Sequence, residues 1–193
     1  LLWSPYAWVG RVHTIHVHVY AAVLLGGAIS SLPIFLTLTR PAAGVTRAVV
    51  ATAQVLWSGL LVHLTGGRIE THFHIFVSLA FLSFYRDWKI LVPATIVTST
   101  DHLLRGLFWP ESVYGTVSAE WWRFLEHVFW VAFEDLVLVL ACIRGVAETR
   151  ELATRQAETE AMTAREREKS VALEVANEEL SASRDALAQL AEV

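Results

Sequence analysis

Gly66-Gly67-Arg68-Ile69-Glu70-Thr71-His72-Phe73-His74 sets a glycine pair and four ionisable side chains between two long apolar runs. Those runs, about 46–65 and 71–85, have the composition of membrane spans. That places the polar knot at a membrane edge. An ionisable group there is costly unless it is paired or metal-bound, so its first reading is a functional site.

Working outward, a helix needs roughly 20 apolar residues to cross the hydrocarbon core. Five runs come near that length: about 17–39, 46–65, 71–85, 88–109 and 121–143, the third being short. The whole chain is 54% hydrophobic with eight tryptophans and a mean hydropathy of +0.46, above what an ordinary soluble domain needs. The apolar residues are unevenly placed. Residues 1–143 hold eight Lys/Arg against eight Asp/Glu, whereas 144–193 hold seven against eleven and no aromatic residue. The expected fold is therefore all-α, a polytopic transmembrane bundle of about five spans over 1–143 that continues into a cytoplasmic helix over 144–193.

Basic residues in short loops stay on the cytoplasmic side. Arg40 and Arg47, Arg86 and Lys89, and Arg144 and Arg150 fall on one side of the predicted bundle. The N-terminus, the Gly66 to Glu70 loop and the Pro110 to Glu120 loop then lie outside, and the tail inside. Trp3, Tyr6 and Trp8 precede the first span as interfacial aromatics, Trp109, Trp121 and Trp122 form an outer belt, and Trp88 stands on the inner side. The single Cys142 has no internal disulfide partner and says nothing about redox compartment. The first run lacks the marks of a cleavable signal peptide. A first residue of Leu and a lone Met162 suggest a piece of a longer protein.

From Val146 onward there is neither Pro nor Gly, and Ala, Glu, Arg and Leu predominate, a helical composition. Leu173, Leu180 and Leu187 recur every seven residues, with Asn177 and Arg184 between them. This pattern predicts a parallel two-stranded coiled coil, hence a homodimer, in which a core Asn fixes the register. The alternative is a solvated single helix.

On this topology all eight histidines, His13, His16, His18, His63, His72, His74, His102 and His127, fall in or above the outer half of the membrane. His102 lies roughly 10 Å below Trp109 and His127 roughly 9 Å below Trp121 at the helical rise. Singly, each reads as an interfacial or hydrogen-bonded side chain. Together, imidazoles delivered to one layer by five helices point to a metal centre. His72, His74, His102 and His127 are the leading ligands, followed by His63, His13 and His16, with Glu70 as a carboxylate ligand. His13 and His16, three apart, share a face if helical, and His18 points away from it. Asp101 and Glu126 sit beside histidines as supporting carboxylates. Asp101 also stands one turn from Arg105 as an ion-pair partner. Glu134 and Asp135 lie near mid-membrane, where an unpaired acid costs about 2.5–3.5 kcal/mol. Both are expected to be protonated, paired with Arg105 or Arg123, or turned to a polar interior. Imidazole with carboxylate suits iron, copper or zinc, and the number of candidates allows two ions. Haem b is the alternative, needing two facing histidines. Nothing in the sequence calls for a nucleic-acid partner.

The segment Gly67 to His74, followed by Phe84-Tyr85-Arg86-Asp87-Trp88, Asp101-His102-Leu103-Leu104-Arg105-Gly106, Glu126-His127 and Phe133-Glu134-Asp135, resembles the membrane input region of bacterial multidomain sensors. In those proteins such a region precedes PAS, histidine kinase, diguanylate cyclase or chemoreceptor modules. The likeness covers roughly 60–145. Ala176-Asn177-Glu178-Glu179-Leu180 and Arg184-Asp185-Ala186-Leu187 are similar to the helical linkers that enter those modules. The resemblance implies a multi-pass protein of the bacterial inner membrane, a C-terminal output domain in cis and a role in signal transduction, with a histidine kinase as the first expectation for the full-length protein. No kinase motif occurs in these residues, so the fragment itself is expected to be non-catalytic. Two competing readings are a membrane di-iron oxidoreductase of hydroxylase or desaturase type, which usually carries the His-x-x-x-His pairs lacking here, and a metal-free histidine pH sensor.

Overall fold

A computed structural model describes residues 6–9, 12–118 and 120–191, without the side chains of 6–9, 12–14, 183 and 185–191. Trp3 and the side chains of Tyr6, Trp8, His13 and Leu187 therefore lie outside the described residues. The described chain is predominantly helical. α1 spans Val17–Thr39, α2 Gly44–Leu64, α3 Ile69–Ser83, α4 Leu91–Phe108, the short α5 Glu111–Tyr114 and α6 Trp122–Ala191, with a 3₁₀ turn at Trp88–Ile90 before α4. The expectation of an all-α fold holds for the bundle, with one addition. An antiparallel hairpin, β1 Tyr6–Val9 and β2 Val12–Ile15, precedes α1 and pairs Trp8 with His13. Interfacial aromatics next to β-branched residues fit a pleated strand as well as a helix entry.

α1 and α2 are long and apolar enough to cross a bilayer, and α3 is apolar but has only 15 residues. α4 carries Asp101, His102 and Arg105 in its second half, and the apolar part of α6 is broken by Glu134 and Asp135. The chain divides into two units, Leu1–Gly145 and Val146–Val193. In the second, every described side chain beyond Val146 is exposed.

Within the first unit α2 is the central element, touching α1, α3, α4 and α5. Its buried face is built largely of small residues, including Ala51, Ala53, Ser58 and Gly59. Between apolar helices in lipid there is little hydrophobic drive to associate, so close backbone approach over small residues has to supply the packing. Gly59 shows the effect: a Cβ there would stand 3.3 Å from the Asp101 carboxylate. Gly26 of α1 likewise makes room for the Trp57 ring, which donates its Nε1–H to Ser30 Oγ at 3.0 Å. Leu79, Leu82 and Leu91 anchor the core cluster, which Val131 of α6 joins. Toward the end remote from the histidines, Arg86 donates to the Gly145 carbonyl at 3.2 Å and Arg47 pairs with Asp87 at 3.5 Å.

The glycine pair closes α2 with two reversed bonds: Gly66 N–H donates to His63 O and Gly67 N–H to Val62 O, at 3.0 and 2.9 Å. This is the Schellman pattern, with left-handed residues past the helix end. Both glycines have positive φ, +71° and +70°. Their surroundings differ. A Cβ on Gly66 meets nothing within 4 Å, whereas one on Gly67 would lie 2.3 Å from the Gly115 nitrogen. Gly66→Ala should therefore lose about 1–2 kcal/mol through backbone strain alone. Gly67→Ala should lose about 1–3 kcal/mol more because main chain must move. Denaturant unfolding of the two variants in the same detergent checks this; equal losses would contradict the close approach.

Candidate functional site

Three imidazoles from three helices meet: His72 of α3, His102 of α4 and His127 of α6. Their ring centroids stand 5.5 Å (His72–His102), 5.3 Å (His72–His127) and 5.9 Å (His102–His127) apart. His72 and His102 are buried, at 4% and 3% exposure. Each ring is held by its own helix. The Nδ1 of His72 lies 2.9 Å from Arg68 O, that of His102 3.1 Å from Thr98 O and that of His127 2.8 Å from Arg123 O, each carbonyl one turn back. A carbonyl can only accept, so every Nδ1 carries a proton, and in the neutral ring every Nε2 presents a bare lone pair.

The Nε2 atoms of His72 and His102 are buried without a hydrogen-bond partner. The three rings border a cavity of about 20 Å³, closed on other sides by Ile75, Thr98 and Val131. That is room for one water or one ion. With metal–nitrogen bonds of about 2.0–2.1 Å and tetrahedral angles, the centroids of three bound imidazoles stand roughly 5 Å apart. The observed triangle is slightly wider, and among the described residues no group of three or more His, Cys, Asp or Glu forms a ready-made metal cage. The donor set nevertheless suits a cation: three neutral imidazoles with fixed tautomers, the arrangement that backbone-tethered metal ligands adopt.

Around the triad stand further polar groups, of which the sequence did not single out Tyr114 and Ser112. Tyr114 packs edge-on to His127 with centroids 5.3 Å apart, and its hydroxyl is buried without a partner. Burial pushes its phenol pKa up. The one available signal was Gly106, where a Cβ would lie 3.0 Å from the Tyr114 ring. Asp101 forms a two-pronged pair with Arg105 and stands 3.5 Å from His102 Nδ1. Arg105 also donates to Ser112 Oγ at 3.0 Å, and Ser112 bonds His63 Nδ1 at 2.8 Å.

The remaining candidates lie elsewhere. His63 belongs to a second group with His16 and His18: the His16 and His18 Nδ1 atoms are 3.0 Å apart, and the His18 and His63 rings 5.2 Å. His16 is the N-cap of α1 and accepts from His18 N–H, and His13 is in β2, so the expected helical His13/His16 face does not exist. His18, expected to point away, faces both neighbours. His74 bonds the Ser58 and Ser78 hydroxyls at 2.8 and 3.3 Å. Glu70 pairs with Arg68 in the open, and that hydrogen bond holds its carboxyl below the ordinary range. Glu126 is exposed beside His127. Asp135 takes a hydrogen bond from Thr95 rather than from Arg105, which Asp101 already occupies; Glu134 Oε2 and Asp135 Oδ1 have no hydrogen-bond partner.

The chain matches no family model and no solved structure. It is similar to Transducer protein Htr8 of Halobacterium salinarum, 35% identical over 72 residues, which are 37% of this chain. The matched stretch spans about a tenth (11%) of that relative's length.

Proposed function

We propose that this chain is the membrane input domain of a signal transducer, and that His72, His102 and His127 hold one transition-metal ion whose binding or redox state is the signal. The observation that carries the reading is the set of three backbone-tethered imidazoles, two with buried and unpartnered Nε2 atoms. The likeness to a protein described as a transducer supports the signalling role. The small space between the rings favours a bare ion over haem b.

The ion would act by drawing three helices toward a common point. A ligand shifts a two-state element only by its difference in affinity for the two states. In this reading the ion prefers the closed triangle, and α6, which carries His127 and runs on to Ala191, takes that preference into the tail. The five-span topology with the N-terminus outside belongs to the same proposal. Its supports are the two span-length helices, the basic residues near the inner turns and the polar groups at the opposite ends.

Metal analysis of the purified chain should find one transition-metal ion per chain. His102→Ala and His127→Ala should each weaken binding by at least about a hundredfold, since even loss of a supporting partner costs about 10–100-fold. Absence of metal, or unchanged affinity in both variants, rejects the ion. Signalling that persists without metal and follows pH between about 5 and 8 would favour the proton-sensing reading instead.

The tail is proposed to pair with a second copy through Leu173, Asn177, Leu180 and Leu187. Leu173 and Leu180 are 71% and 63% exposed in one chain, apolar surface that a partner helix would cover. In a Cys142→Ser background, Asn177→Cys should form a disulfide-linked dimer under mild oxidation and Glu178→Cys far less. Equal cross-linking at the two positions would exclude that register.

A further inference from the structure

A separate groove of about 680 Å³ opens between α1, α2 and α3, within the size range of small-molecule sites. Its walls are apolar, with Ile34, Trp57 and Phe81 prominent, but its floor is not. Ser58 and Ser78 are fully or almost fully buried, at 0% and 1% exposure, and hold the floor together with His74 and Gln54.

One arrangement of protons satisfies these contacts together. In it Ser58 Oγ donates its single hydrogen to Gln54 O, 3.1 Å away, and the His74 ring donates Nδ1–H to Ser58 Oγ, 2.8 Å away. Ser78 satisfies its own hydroxyl on Ser58, 3.1 Å away. His74 is left with a lone pair on Nε2. Gln54 spends one N–H on the Ser78 carbonyl at 3.4 Å and keeps another N–H and its Oε1. The groove thus offers unspent acceptors beside one donor, against an aromatic wall.

Gln54 lies ten residues from the Leu64 end of α2, about 15 Å along the helix axis. In a bilayer of about 30 Å this is mid-depth. A phospholipid headgroup cannot reach it, whereas a neutral ring-headed lipophile can. We infer that the groove binds a quinol, its phenolic O–H donating to His74 Nε2, its oxygen accepting from Gln54, and its ring against Trp57 and Phe81. A quinone has no hydrogen to donate, so it leaves Nε2 unpaired and binds about tenfold more weakly. The groove would then distinguish the reduced from the oxidised carrier. This inference rests on the membrane placement proposed above but not on the metal.

The test is native mass spectrometry of the chain released, under argon, from nanodiscs doped with decylubiquinol, decylubiquinone or dodecane. The expected result is a one-to-one quinol adduct, about tenfold less quinone adduct at equal loading and no retained alkane. Gln54→Leu and His74→Leu should each lose the quinol preference. His102→Ala, which opens the metal triad, should keep it. Equal retention of quinol and quinone, a preference that survives both groove variants, or a dimer peak that excludes quinol in the wild type would overturn the inference. Failure of the chain to enter nanodiscs would overturn it through the membrane placement, leaving the metal triad to be judged on its own assay.

Discussion

Each histidine of the central triad donates Nδ1–H to the carbonyl one turn behind it, and much of the arrangement depends on those three bonds. A helix carbonyl is normally engaged along its own axis, but its second lone pair remains free to accept. Using it turns a floppy imidazole into a group whose tautomer and direction are set by the helix. Three helices so equipped need only pack at the right angles to bring three lone pairs together. The rest of the first unit achieves that packing: α2 is lined with small residues where it meets α3 and α4, and Val131 seats α6 on the same cluster. The Nε2 atoms of His72 and His102 end up buried without a hydrogen-bond partner in the small space between the rings.

The two histidine groups are physically linked. From His102 the path runs through Asp101, the Arg105 guanidinium and Ser112 to His63, every step short enough for a charged or polar contact. Gly59 makes room for the ion pair in the middle. A charged pair inside apolar helices is tolerable when each partner has further hydrogen bonds to spend, which Ser112 and the His102 ring supply.

How much of this was legible in the sequence varies with the kind of fact. Helix positions were readable because apolar run length and the basic turns are one-dimensional signals: residues 17–39 were read as a helix, as found. Of the four histidines placed first from the sequence, His72, His102 and His127 come together and His74 does not. Azimuth was not readable. His74 is two residues from His72 but turns to Ser58 and Ser78, and nothing in its neighbours announced that. His18 was misjudged because helical periodicity was extended back through a strand and an N-cap residue, where it has no meaning. Tyr114 was missed because a loop aromatic carries no periodic signature; only the packing of Gly106 reveals it.

In the loops after α2 and α5, Gly67 and Gly115 meet main chain to main chain, with no side chain between them. A seam of this kind has no rotamers to rearrange and little apolar area to be weakened by cold. Its spacing is a matter of covalent and van der Waals radii, nearly indifferent to temperature. The loop after α2 and the loop after α5 therefore move as one piece.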